Sequence, residues 1–578
     1  MPYLPIVALL CLAALYSLLK HYIGEYAIST WNIDPRRTAP AHKQNSQCFF
    51  PVSRWMLFGS HLQGVITVGT IFLPTICVTF GWVPAVLLFF FGAAFSGWVH
   101  DYVSTILSVR SDGRTLSSVF ERFLGKREGS AFWLLNVFCT IILASLSALQ
   151  CIIILEMYPA GFISTFSVLV SGLVFLVLFY RRRLSLPIAL VVCLGIILVG
   201  MELGLALPIK GLNRITISSL LYMAAVLYVV IPSRHLSQSV GFVASILTVI
   251  VIFCVLIISI YHSAVSSISV SAFVTPSSYS WSLLDSFWSA FLFSSACGII
   301  SGWHSLVGSF VTSRHVDLET DIRVVSAGSM FVESALTLGS LLVYASIRVG
   351  ALQSMGGTPW EVFLNGFIRQ VEGTVGGILP GRFLRSLGVT FLAVSCINSL
   401  RLAISFWGSN PDSLGSFRLL SPFRGSNRDA SDQNDRLAWL DKYIFLVSCI
   451  ALSWFLTHSS SLTNLWSLFA AISQLLAGLV LLLATLYLKM EGKRSLQTFI
   501  PSVFFTLNSL AFSIYLGGWV FLRTFDFDVL LGSSFFSKSF SGSVNLMFLG
   551  VMSFCSSVVG MWLTYKSFSF LRRNEKFE

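Results

Sequence analysis

The sequence predicts an all-α, polytopic membrane protein of about fifteen transmembrane helices, and three observations predict it. Hydrophobic residues make up 55% of the 578 and charged residues only 11%, where a soluble domain carries roughly 25% charged residues. Apolar runs of about 20 residues, the length that crosses a bilayer as a helix, recur from end to end. Lys and Arg concentrate in every second loop.

Taken in order, the spans begin near residues 3, 55, 82, 131, 160, 186, 215, 240, 285, 326, 384, 442, 463, 497 and 545. The first, PYLPIVALLCLAALYSLLK, has no Lys or Arg before it and Lys20 after it, so it reads as a permanent anchor and not as a cleaved leader. The second, RWMLFGSHLQGVITVGTIFLP, carries His61 among Gly59, Gly64 and Gly69, with Pro74 behind. Gly and Pro weaken a helix, which predicts either an interruption here or close packing of helices. The third ends in FGAAFSGWVHDYVSTILSVR, and the fourth to eighth follow. The ninth and tenth contain ACGIISGWHSLVGSFVT and GSMFVESALTLGS, which hold a His and a Glu. The eleventh holds Arg401, and four further apolar spans close the chain. Residues 1–578 thus form a single transmembrane domain, with a flexible inner linker near 409–441.

Loops after odd-numbered spans, with the C-terminal tail, hold 28 of the 37 Lys and Arg, and loops after even-numbered spans hold 8. Inner loops retain basic residues, so the N-terminus is expected outside and the C-terminus in the cytoplasm. The net charge of +12 then faces anionic lipid, and no nucleic-acid motif accompanies it. The eleven Cys are scattered without C-x-x-C spacing, so neither a disulfide framework nor a metal site is expected. No P-loop, G-x-S-x-G or H-E-x-x-H occurs, which leaves no enzyme signature and no cofactor. The outer loop near 351–383 contains Trp360, Phe363, Phe367 and Ile368 among charges, a composition that predicts a short helix lying on the membrane surface.

Ionisable residues at membrane depth mark function by default. Ala93, Gly97, Asp101 and Ser104 share one helical face, so Asp101 faces protein; His100 projects about 100° away, so a pairing of the two does not follow from the spacing. Ser301, His304, Ser305, Gly308 and Thr312 form a polar strip in the ninth span. Ser326, Ser329, Glu333, Thr337 and Ser340 form another in the tenth. Such strips line a wet pathway or a helix interface, and a carboxylate amid hydroxyls favours the pathway.

These same residues resemble the carbon starvation protein family of bacterial inner-membrane transporters. The family's D-x(n)-T-P-A stretch and P-T-x-x-W-V-L-F-G-H-H-F are matched by Asp34, Thr38, Pro40 and Ala41, then by PVSRWMLFGSHL. Its G-x-x-F-x-G-A-V-H-D-Y is matched by GAAFSGWVHDY, and its C-G-A-I-S-G-F-H-S-L with a later G-x-M-x-x-E by CGIISGWHSL and GSMFVES. Order and spacing agree over roughly residues 30–408. The resemblance implies secondary active, proton-coupled uptake of pyruvate or small peptides through two inverted five-helix repeats with interrupted helices. The residues carried over are His61, Gly69, Pro74, His100, Asp101, Gly298, Ser301, His304 and Glu333.

The chain departs from the family where function is expected. The paired His of G-H-H-F becomes Ser60 and His61, Arg234 or His235 stands near a family Asp, and Ile397 replaces the carboxylate preceding Arg401. Arg401 must then find another acceptor, either by gripping a substrate carboxylate or by reaching to the cytoplasmic edge. The expected mechanism is alternating access around a midplane site, with a small anion or peptide met by helix N-termini at the interruptions and a proton or sodium ion as coupling partner. A transporter-like sensor or scaffold that no longer transports is the alternative, motivated by the lost carboxylates.

Overall fold

A computed structural model describes residues 3–44, 46, 48–71, 80–231, 235–265, 270–274, 291–292, 295–296, 298–347, 359–375, 380–408, 431–524 and 540–573. Pro74, Arg234 and most of the inner linker lie outside these residues. The described chain is helical throughout, with one isolated antiparallel bridge between Thr38 and Leu318. Among the described residues, twelve helices are long and apolar enough to span a membrane. The shorter apolar helix Arg214–Val230 and two interrupted segments, in the second and ninth positions, account for the other three predicted starts.

Burial separates an inner group of spans from a lipid-facing shell. The hydrophobic windows of Gly381–Gly408 and Leu462–Met490, the eleventh and thirteenth spans, are 100% buried, whereas that of Leu4–Thr30 is 17% buried. Apolar composition alone does not distinguish these cases, because lipid tails and protein interiors are equally apolar. The difference lies in small and polar residues that allow close approach. In the eighth span Ser245 and Phe242 press on Gly59 of the second, and in the fourteenth span Thr506 presses on Gly478 of the thirteenth.

The helix Pro359–Val375, whose composition predicts a membrane-surface helix, turns its apolar residues toward the bundle. Trp360 is fully buried, Phe363, Phe367 and Ile368 are nearly so, and the helix packs on the eighth, tenth and eleventh spans. Its Gln370 adds a polar anchor to this apolar contact, since the amide accepts from Ser259 (2.7 Å) and donates to Ser346 (2.9 Å), both within the bundle.

On the face where the basic loops gather, the segment between the first two spans is tied to the turn between the ninth and tenth. Glu319, 1% exposed, receives Arg37 (2.7 Å) and Arg110 (2.9 Å). Asp34 donates its backbone N–H to the same carboxylate, Arg54 pairs with Asp321, and His42 with Asp317. A carboxylate buried between two guanidinium groups is compensated in charge and in hydrogen bonds, the condition under which such burial is tolerated.

Candidate functional site

Both Gly-rich spans are interrupted, and local chemistry explains where. In the second span the helix Arg54–Val65 stops at Ile66, whose backbone is extended, and a tight turn resumes at Val68–Ile71. The run Ile66, Thr67, Val68 is β-branched, which disfavours helix, and the Thr67 hydroxyl accepts from the Gly69 N–H (3.2 Å) in competition with the helical ladder. The carbonyls released by the break are taken by side chains: Asn398 donates to Gln63 O (2.6 Å) and Trp303 Nε1 to Gly64 O (2.8 Å). In the ninth span the backbone is extended at Ser301, whose hydroxyl caps the helix Gly302–Leu306 by accepting from Trp303 N. Gly298 lies at the meeting of the two breaks, where an added Cβ would stand 3.0 Å from Thr337 Oγ1 and 3.4 Å from Thr70 O.

Around these breaks the structure assembles one chain of titratable side chains. His100 Nδ1 lies 3.0 Å from Asp101 Oδ1, and Asp101 Oδ2 lies 3.2 Å from His304 Nδ1. His304 Nε2 lies 3.6 Å from Glu333 Oε2, and Glu333 Oε1 accepts from the Thr70 hydroxyl (2.7 Å). His61 stands beside the chain, with Nδ1 2.6 Å from the Thr312 hydroxyl. Every member from His100 to Glu333 has a side chain at most 1% exposed. The third, ninth and tenth spans and the resumed turn of the second each supply at least one link. Two carboxylates thus share one imidazole, an arrangement that carries an excess negative charge unless a proton is added. Either ring nitrogen of each His serves as donor or acceptor according to tautomer, so a proton can pass between Asp101 and the imidazoles of His100 and His304, whereas His304 Nε2 and Glu333 Oε2 face each other at 3.6 Å without a hydrogen bond.

A family model described as Carbon starvation protein CstA matches residues 3–371. The chain belongs to that family. The peptide transporter CstA of Bacillus subtilis is 24% identical over 527 residues, covering 85% of this chain and 86% of its own. The pyruvate/proton symporter BtsT of Escherichia coli is 23% identical over 354 residues, 59% of this chain and 49% of its own. A peptide transporter CstA of Helicobacter pylori is 26% identical over 383 residues, and there too the match spans about half (51%) of the relative. Among solved structures, a manganese transporter of Eremococcus coleocola in complex with an aromatic bis-isothiourea compound aligns over 90% of this chain and 94% of its own at 13% identity and a TM-score of 0.48. This CstA-family chain is a multi-pass membrane transporter.

Of the residues singled out in this family member, His100, Asp101, His304 and Glu333 join one chain, His61 stands beside it, and Gly298 and Ser301 shape the ninth-span break. Gly69 lies in the resumed turn of the second span, adjoining Thr70. The His100–Asp101 pair, which helical spacing left unassigned, forms directly. Arg401 neither joins the chain nor reaches to the edge. Its side chain is buried, bonded to Asn398 Oδ1 (2.6 and 3.2 Å) and to Ser237 Oγ (2.6 Å), and its guanidinium stands 4.9 Å from the Tyr228 ring centroid. No carboxylate lies within ion-pair distance of it among the described residues. Asn398, one position beyond Ile397, supplies the acceptor that the family's carboxylate would have supplied.

The backbone donors at the interruptions are largely occupied within the protein: Gly302 N by Ser473 Oγ (3.0 Å), Trp303 N by Ser301 Oγ and Gly69 N by Thr67 Oγ1. Helix N-termini therefore offer an anion less than the sequence led us to expect. Instead, His61 Nε2 and His100 Nε2 are buried without a hydrogen-bond partner among the described residues. The strip in the tenth span is partly an interface, since Ser329 donates to Phe58 O of the second span (3.4 Å), while Ser326 and Ser340 bond the carbonyls of their own helix four residues back. Sequence reasoning missed Ser473 and Gln474, a polar pair in the middle of the thirteenth span.

Proposed function

We propose that this transporter is a proton symporter that carries pyruvate or a short peptide into the cytoplasm by alternating access, with Glu333 as the site that accepts the coupling proton. The observation that carries this reading is the buried chain His100–Asp101–His304–Glu333–Thr70, which ties both interrupted spans to the third and tenth. The names of the Bacillus and Escherichia relatives supply the two substrate classes. Both present a carboxylate.

With Glu333 ionised, its charge holds His304 and so binds the tenth span to the ninth. A proton arriving from outside neutralises Glu333 and removes that attraction, while the substrate carboxylate takes the Nε2–H of His61, whose Nδ1 accepts from the Thr312 hydroxyl, and that of His100 when its ring is protonated on both nitrogens. The two spans are then free to shift relative to each other, and the site opens inward. Loss of the substrate restores the need for a counter-charge beside His304, and the proton leaves through His304 and Asp101. Each inward proton contributes about 2.3 kcal/mol per 100 mV of membrane potential. We further place the protein in the bacterial inner membrane with its N-terminus outside, an orientation that reporter fusions at each loop would check.

Reconstitution in liposomes tests the reading, with labelled pyruvate and a labelled dipeptide measured with and without an inward proton gradient. Gradient-dependent uptake of one of them is the expected result. Uptake indifferent to pH and protonophore, with Asp101→Asn and Glu333→Gln fully active, would overturn proton coupling. No uptake of either solute would return weight to the non-transporting sensor.

A further inference from the structure

The ninth-span break is held from both sides by one helix that the matched family segment, residues 3–371, does not include. That helix is the thirteenth span, Leu462–Met490. On the near side of the break, Gln474 Nε2 donates to Leu292 O and to Ser295 Oγ (2.9 Å). The backbone carbonyl of Ser295 in turn accepts from Ile299 N and Ile300 N, so Gln474 grips the turn at which the first half ends. On the far side, Ser473 Oγ accepts from Gly302 N (3.0 Å) and pairs with Ser301 Oγ (2.9 Å). Both side chains are fully buried. The fit is close: a Cβ at Gly302 would collide with Ser473 O and Leu476 Cβ.

We propose that Ser473 and Gln474 are positioning residues that preset the geometry of the unwound segment 299–301, and through it the placement of His304 against Asp101 and Glu333. Their neighbouring positions on one helix fix the two halves to a common frame. The inference rests on the transport reading in one respect: the break is taken to shape the substrate site. Loosening the clamp lowers the fraction of carriers in the binding-competent geometry, and apparent affinity falls by that same fraction. A merely structural defect acts differently. It reduces the amount of folded carrier and so lowers the maximal rate without moving KM.

The test uses the full-length protein in lipid, with Gln474→Leu and Ser473→Ala, Ser473→Thr as the variant that keeps the hydroxyl, and Thr485→Val as a control on the same helix. Thr485 bonds only Leu481 O and Thr498, three turns from the clamp. Two readouts are taken: amide hydrogen exchange of the peptide covering residues 298–304, and KM with maximal rate for uptake. For Gln474→Leu and Ser473→Ala we expect exchange at least tenfold faster and KM raised at least fivefold with maximal rate within twofold. Ser473→Thr and Thr485→Val should match the parent in both. Unchanged exchange, or a fall in maximal rate at constant KM, overturns the proposal. If the parent takes up neither solute, the transport reading falls, and exchange alone decides the clamp.

Discussion

Replacing Glu333 by Gln separates carrying substrate from being driven by protons. Glu333 Oε2 lies 3.6 Å from His304 Nε2, and unit charges at that distance attract by about 5 kcal/mol at an effective dielectric of about 20. The amide keeps the shape and still accepts from Thr70, but it takes no proton and exerts no such pull. If Glu333 is the coupling site, each cycle moves one proton. One pH unit is worth about 1.4 kcal/mol, so with membrane potential clamped at zero the parent should accumulate substrate about tenfold per inward pH unit. Glu333→Gln should reach an accumulation ratio of about one. Counterflow exchange of labelled for unlabelled substrate needs no net proton movement and should survive within about threefold. A Gln variant that still accumulates tenfold would refute the assignment, whatever its rate.

Four further outcomes follow from the same geometry. Asp101→Asn removes the charge and leaves only one acceptor oxygen for His100 and His304; breaking a buried pair costs roughly 3–5 kcal/mol, so both the thermal midpoint and gradient-driven uptake should fall, read by melting of the purified protein and by flux. Asn398→Leu strips Arg401 of two of its three side-chain hydrogen bonds and should lower the midpoint by a comparable energy, whereas Asn398→Asp, which restores a charge partner but loses the donor to Gln63 O, should melt between the leucine variant and the parent. Gly298→Val places a side chain against Thr337 and Thr70 O, where the breaks meet; transport should be lost with expression retained, as a blot beside the uptake assay will show. Glu319→Gln leaves Arg37 and Arg110 without their counter-charge, and limited proteolysis at the segment between the first two spans should accelerate.

The spans were legible because crossing a bilayer demands length and apolarity, and both are local properties of sequence. The interruptions were only partly legible: the glycines of the second span fit close packing as well as a break, Gly59 and Gly64 lie within the helix Arg54–Val65, and the break falls at the β-branched run Ile66–Val68 beyond them. That Asp101, His304 and Glu333 belong together was only half visible. Each stands out as an ionisable group in apolar surroundings, but the distances among them depend on how four spans cross. The His100–Asp101 pair was hidden by treating side chains as spokes on a wheel, whereas a carboxylate has two oxygens and serves partners on two sides. At Arg401, attention to the missing acid at Ile397 passed over Asn398, which sits one turn away and reaches the guanidinium. The docking of Pro359–Val375 on the bundle was not legible because an amphipathic helix shows the same face to lipid headgroups as to a bundle.

The clamp on the ninth span also sets a schedule for making the protein. Ser473 lies 171 residues beyond the Gly302 N–H that it receives, and at roughly 5–20 residues per second of synthesis that separation is about 10–30 s. Throughout this interval the ribosome has delivered a broken helix whose partner does not yet exist. A nascent chain held at that stage carries His304, Asp101 and Glu333 in a half-built membrane assembly. The four last spans complete its centre, so a chain shortened after residue 408 lacks the wall of its own interior and should be a substrate for membrane quality control.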